Sequence, residues 1–168
     1  MSEPIVEQIA EWLISAIAQI STANGYQQSL SVARPGDLEA TDTPIADLTT
    51  IVGLEDPEHG EAPTQEHRLW VQPFGIITFL VGDGGTEVSI DKRINRVRAD
   101  IEKRLGAEIA GYRGAKSLCN HLADWIELRG AEIWLDAENQ ATVLLNRVAI
   151  RYHVDFTDPY TQSRTHLL

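Results

Sequence analysis

The chain has a single cysteine, Cys119, which excludes an intramolecular disulfide framework and a zinc site built from several thiolates. One thiol fits a reducing compartment. Long hydrophobic runs are lacking too. None approaches the roughly 20 apolar residues that a membrane-spanning helix needs, so no membrane partner is expected. Cations are scarce: 14 Lys and Arg stand against 25 Asp and Glu, for a formal net charge of −11. Such a chain does not wrap nucleic acid unless its positive residues are segregated. The N-terminal stretch is acidic and amphipathic, without the basic start of a secretion signal. Internal repeats and low-complexity tracts are absent.

What is present is ordinary for a globular protein. Hydrophobic residues make up 43% of 168 positions. A chain of this length forms one domain that buries roughly two-thirds of its unfolded surface. The expected domain is 1–168, with polar loops near 34–45 and 55–66 and a flexible tail near 161–168.

The strongest pattern is late. Val148, Ile150, Tyr152, Val154 and Phe156 alternate with Arg147, Ala149, Arg151, His153 and Asp155. Alternation with period two predicts a long strand with one buried face, and Asp158-Pro159 stops it. Its position suits a central strand of an antiparallel sheet. Upstream, Ile5, Ile9, Trp12, Leu13, Ala16, Ile17 and Ile20 fall on one helical face, with Ser2 as cap and Asn24-Gly25 as stop. Tyr26–Ala33 and Ala46–Leu54 read as strands. So does Leu69–Val81, with a bend expected near Pro73 or Gly75 because proline cannot complete a central ladder.

Ser89 caps a second helix along the seam Ile90, Ile94, Val97, Ile101 and Leu105, and Gly106 is expected to end it. Ala107–Ala115 reads as loop. Leu118, Leu122, Trp125 and Ile126 have helical spacing and predict a short third helix. Ile133–Leu135 is a strand candidate that turns at Asp136–Gln140 into the final strand, an antiparallel hairpin. The expected fold class is therefore α+β: a mainly antiparallel sheet covered by two long amphipathic helices, plus the short third one.

Chemistry-bearing motifs are thin. Gly82-Asp83-Gly84-Gly85 precedes a helix, but no Lys-Ser/Thr follows and no GxGxxG is present, so a plain turn is the better reading. Cys119 and His121 are two apart and would diverge on a helix, which leaves a buried, inert thiol. The five histidines are scattered, and Glu55, Asp56, Glu58 and Glu61 lack the spacing of a calcium loop. No catalytic residue, cofactor or metal ligand is expected. One feature carries segregated charge. Lys92, Arg93, Arg96, Arg98, Lys103 and Arg104 place six of the fourteen cations on the second helix. The plain reading is a solvated face with Asp91, Asp100 and Glu102 as local partners. The functional reading is contact with an acidic partner surface or with DNA phosphates through Arg93, Arg96 and Arg104.

The order of pieces resembles the tail terminator (tail completion, minor tail) proteins of long-tailed bacteriophages. The resemblance rests on the N-terminal amphipathic helix closing on Asn24-Gly25-Tyr26 and the strand into Ala33-Arg34-Pro35. It continues with Val52-Gly53-Leu54-Glu55, the aromatic strand around Trp70, and the helix Ile94–Ile101. It ends on the strand Val148–Phe156 running into Asp158-Pro159-Tyr160. The match covers about residues 5–160 and is weakest over Tyr112–Arg129. It implies a structural virion protein without catalytic residues, located at the tail–neck junction and in the host cytoplasm during assembly. Such proteins form a ring of about six identical copies at the head-proximal end of the tail tube. The ring stops tube polymerisation and offers a surface to head-side neck or connector proteins. The implied partners are thus other copies of the chain, the tail tube protein, the neck proteins, and genomic DNA that passes through unread. The alternatives are another head–tail adaptor or tube protein, or a small α+β enzyme or ligand-binding domain.

Overall fold

The computed structural model describes residues 3–36, 44–56, 58–59, 67–82, 88–113, 118–155 and 159–160. Most of the two expected loops, the turn at 83–85, Ser2 and the expected tail at 161–168 lie outside the described residues. Among the described residues eight elements carry the fold: α1 (Ile5–Ala18), β1 (Ser31–Ala33), β2 (Thr49–Leu54), β3 (Glu58–His59), β4 (His67–Val81), α2 (Ile90–Arg113), β5 (Trp125–Asp136) and β6 (Ala141–Asp155). The sheet runs β1-β2-β4-β6-β5, and β3 pairs separately with β4. All pairs are antiparallel except β1 with β2. The class is α+β, with two long helices among the described residues and a mostly antiparallel open sheet.

Pro4 is the N-cap of α1, and its missing N–H costs nothing there, because that donor would have no helical partner. No side chain caps it. Ile5, Ile9, Leu13 and Ile17 are buried in one stripe. The helix ends at Ala18, before the expected Asn24-Gly25 stop. A 3-10 turn at Thr22–Asn24 follows, and Gly25 closes that turn at φ 82°. The loop is then held from α2: the buried Asp100 carboxylate accepts N–H bonds from Gln27 and Gln28 at 2.9 and 2.8 Å. This clamp shortens the strand expected over Tyr26–Ala33 to Ser31–Ala33. β2 likewise begins at Thr49, after Leu48 takes a positive φ of 60°.

The buried stripes of both helices join Phe74, Ile76 and Leu80 of β4 and Leu144, Val148, Ile150, Tyr152 and Val154 of β6 in one core. Both helices therefore pack on the same face of the sheet. α1 lies by β1 and β2, and α2 by β4 and β5. The alternation in the last strand places Val148, Ile150, Tyr152 and Val154 inward, as their spacing predicts.

Three expectations fail for identifiable reasons. The bend expected at Pro73 or Gly75 is absent, because β4 pairs with β6 without a register shift from His67 to Val81. Glu55 N–H donates to Pro73 O at 3.0 Å. Proline has no N–H to return that bond. The buried Gln72 side chain supplies the donor instead, with Nε2 bonded to Glu55 O at 2.6 Å and to Pro73 O at 2.9 Å. Gly106 does not end α2, which continues to Arg113. An interior glycine costs only about 1 kcal/mol, and Ile109 still packs on the core beyond it.

The short third helix does not exist. Leu118 bridges to Ala123 around a 3-10 turn, and Cys119, Asn120 and His121 all have positive φ (48°, 55° and 71°). β5 then starts at Trp125. Of the four residues with helical spacing, Leu118 and Ile126 are buried, Leu122 is half-buried and Trp125 is exposed, and the buried two get there from a tight turn and a strand. The Cys119 N–H is held by the Glu108 carboxylate at 3.1 Å.

Candidate functional site

Two surfaces are candidates for contact with a partner: the basic helix and the outer edge of β5. On α2 the three arginines singled out by sequence do not form one exposed patch. Arg93 is 4% exposed, with Nη1 donating to Gly82 O at 2.9 Å and Nη2 paired with Asp47. Asp47 in turn accepts the Val81 N–H at 2.8 Å. Arg93 therefore ties the start of α2 to the end of β4. Arg104 lies on the same inward side, 3.7 Å from Glu108, and its buried Nε has no hydrogen-bond partner among the described residues. Arg96 is half-buried. The outward cations of the helix are Lys92, Arg98 and Lys103. Arg98 is paired with Glu102, and Lys103 donates to Gly25 O at 2.8 Å while lying 4.8 Å from the Tyr26 ring. The segregated charge is thus mostly used within the chain.

The second surface is the sheet edge. β5 pairs with β6 on one side, and no described strand pairs with its other side. Edge strands are usually short, charged or bulged, since their free N–H and C=O groups invite another chain. The first half of β5 follows that rule. Its register shifts between Leu128 and Ala131, Gly130 sits at φ 100°, and Arg129 pairs with Glu127.

The second half does not. Ile133, Trp134 and Leu135 are 56%, 41% and 82% exposed. Cross-strand register puts Ile133 and Leu135 on the helix-bearing side, beside Leu144 and Thr142. Trp134 is on the far side, beside Val143. Asp136 ends the strand. Its carboxylate accepts from the Asn139 side chain at 2.7 Å and from the Glu138 and Asn139 N–H groups, bonds that hold its pKa below the usual carboxylate range.

The far face of the sheet carries neither described helix. At its waist Arg147 bonds to Glu132 of β5 on one side and to Glu55, just past β2, on the other. To reach Glu55 it must cross β4, and it does so over Gly75, its register partner. A Cβ there would stand 3.1 Å from Leu145 Cδ1 and 3.4 Å from Glu55 Oε1. The hydrogen bond from Arg147 holds the Glu132 carboxyl below its usual range, and Glu132 in turn raises the guanidinium. Nearer the other end, Arg151 lies 5.7 Å from the Trp125 ring, and His153 Nδ1 lies against the Asp124 carboxylate.

Among the described residues no group of three or more His, Cys, Asp or Glu is placed to hold a metal ion. No described helix is long and apolar enough to cross a membrane. Sequence reading missed the β5 edge, although the signal was there. Three consecutive apolar residues on a strand cannot all point to one buried face, so Ile133-Trp134-Leu135 demands a second cover or leaves side chains exposed. The sequence matches no protein-family model, and no curated protein is similar to it at a significant level.

Proposed function

We propose that the chain is a structural virion protein, a tail terminator that assembles as a closed ring of about six copies on the head-proximal end of a phage tail tube. In this role it stops tube growth, presents the surface for head–tail joining, and lets DNA pass without reading it. The observation that carries the reading is the exposed apolar half of an open edge strand, Ile133–Leu135. Contiguous apolar surface beside unpaired main chain marks a protein that is completed by other protein chains. The order of elements that resembles the tail terminators supplies the identity of those chains. The basic helix fits the same role in a reduced form: Arg93, Arg98 and Arg104 are paired with carboxylates and Lys103 is bonded to Gly25 O, which leaves Lys92 and Arg96 as its cations for an outside partner.

The test is to polymerise the cognate tail tube protein with and without the chain and to image the products in negative stain. The expected result is shorter tubes with extra density at one end. Unchanged tube lengths with no bound chain would refute the reading. Uniform incorporation along the tube would move the chain to the tube-protein alternative.

A further inference from the structure

We infer that, before it meets a tail tube, the chain pairs with a second copy of itself, β5 edge to β5 edge, about a two-fold axis through Trp134. The inference goes beyond the ring reading, because a two-fold contact closes on itself and does not build a ring. The free pair covers an edge that the assembled form must then release for its own contacts.

The argument begins with what needs covering. An edge with three consecutive exposed apolar residues is an aggregation hazard unless something masks it. The segment also complements itself. Two antiparallel copies centred on Trp134 set Trp134 opposite its own counterpart, and set Ile133 opposite Leu135 twice. Residues directly opposite share a face. The Ile133–Leu135 pairs then extend the helix-bearing side of the sheet, and the tryptophans meet on the far side, a favourable aromatic cross-strand pair. A shift by one residue in either strand would lose both matches.

The ends of the contact are fixed as well. The register break between Leu128 and Ala131 limits pairing on one side, and the turn after Asp136 limits it on the other. The flanking pairs set Glu132 opposite Asp136 of the second copy. Arg147 offsets the Glu132 charge, whereas Asp136 is held only by neutral amides such as that of Asn139 and stays charged, so this flanking pair weakens the contact. The apolar side chain covered is on the order of 300 Å² per copy. The two copies together cover about 600 Å² of apolar side chain, below the roughly 1,200 Å² that stable specific interfaces bury, which makes a weak pair. That is the size of a contact made to be exchanged.

The register gives a sharp test. In Trp134→Cys the two introduced thiols face each other about 4.5–5.5 Å apart at Cα, within the span a disulfide bridges. Cys119 is buried and does not compete. With a mild oxidant, the W134C chain is expected to run as a covalent dimer on non-reducing gels. Ile133→Cys alone and Leu135→Cys alone stay monomeric, and an equal mixture of the two cross-links. Light scattering of the unmodified chain is expected to give twice the chain mass at tens of micromolar, falling to the chain mass in Leu135→Lys, an exposed position whose change leaves the circular dichroism unaltered. A monomer at every concentration, or equal cross-linking at 133, 134 and 135, would overturn the inference. A spontaneous six-copy ring would also overturn it while favouring the terminator reading. A cross-linked dimer whose parent leaves tube growth unaffected would keep the inference and remove that reading.

Discussion

Replacing Arg93 separates a structural arginine from a surface one. Arg93→Met removes two interactions made from a buried position, the bond to Gly82 O and the ion pair with Asp47. Breaking a fully buried pair costs about 3–5 kcal/mol, because the remaining charge is stranded. Here the stranding is partial. The Asp47 side chain is 30% exposed and keeps its bond from Val81 N–H, and Gly82 is exposed, so water can reach its carbonyl. The methionine also recovers some packing of the aliphatic stem. The expected loss is therefore about 2–3 kcal/mol. For a domain of this size that lowers Tm by about 5–10 °C. Arg96→Met, one turn away and half-buried, should change stability by less than about 0.5 kcal/mol. Urea unfolding followed by tryptophan fluorescence measures both. The reasoning fails if the two substitutions cost the same, or if Arg93→Met is neutral.

Gln72→Leu keeps the volume but leaves Glu55 O without the donor that replaces the missing proline N–H, and should cost about 1–3 kcal/mol in the same assay. Cys119 should resist a thiol reagent in the folded chain at pH 8 and react at the rate of a free thiol once urea unfolds it, since burial pushes its pKa well up. Burial also pushes the Tyr152 phenol up to about 12 from its ordinary value near 10. The unfolded phenol ionises first, so the stabilising effect is intact below pH 10 and is lost as pH rises through about 12. Tyr152→Phe should lose that pH dependence over the same window, as read from urea midpoints.

The periodic elements were legible because each answers to one buried face. Ile5 to Ile17 and Ile94 to Leu105 find the same core, while Ile90, first in the expected seam, stays exposed; Val148 to Val154 supply the opposite wall. The hairpin through Asp136–Gln140 was legible from its turn chemistry. What sequence did not reveal was decided at longer range. The helical spacing of Leu118, Leu122 and Ile126 is also met by a left-handed turn followed by a strand, and β6 offers a whole ladder to that strand. Pro73 signals a bend in sequence, and the Gln72 amide that substitutes for its N–H is a side-chain choice invisible to pattern. Gly106 signals a stop because it comes just after the apolar seam, yet Ile109 extends that seam beyond it. The same limit applies to the candidate site. Counting cations located the basic helix, but only the packing reveals that Arg93 and Arg104 face inward.

The claim that matters most is placement at one end of a tail tube. The direct measurement is the copy number and symmetry of the chain on tubes assembled in its presence, from averaged images of tube ends. The account predicts about six copies in a ring at one end only, with none along the shaft. Bare ends, or density spread along the whole tube, would contradict it.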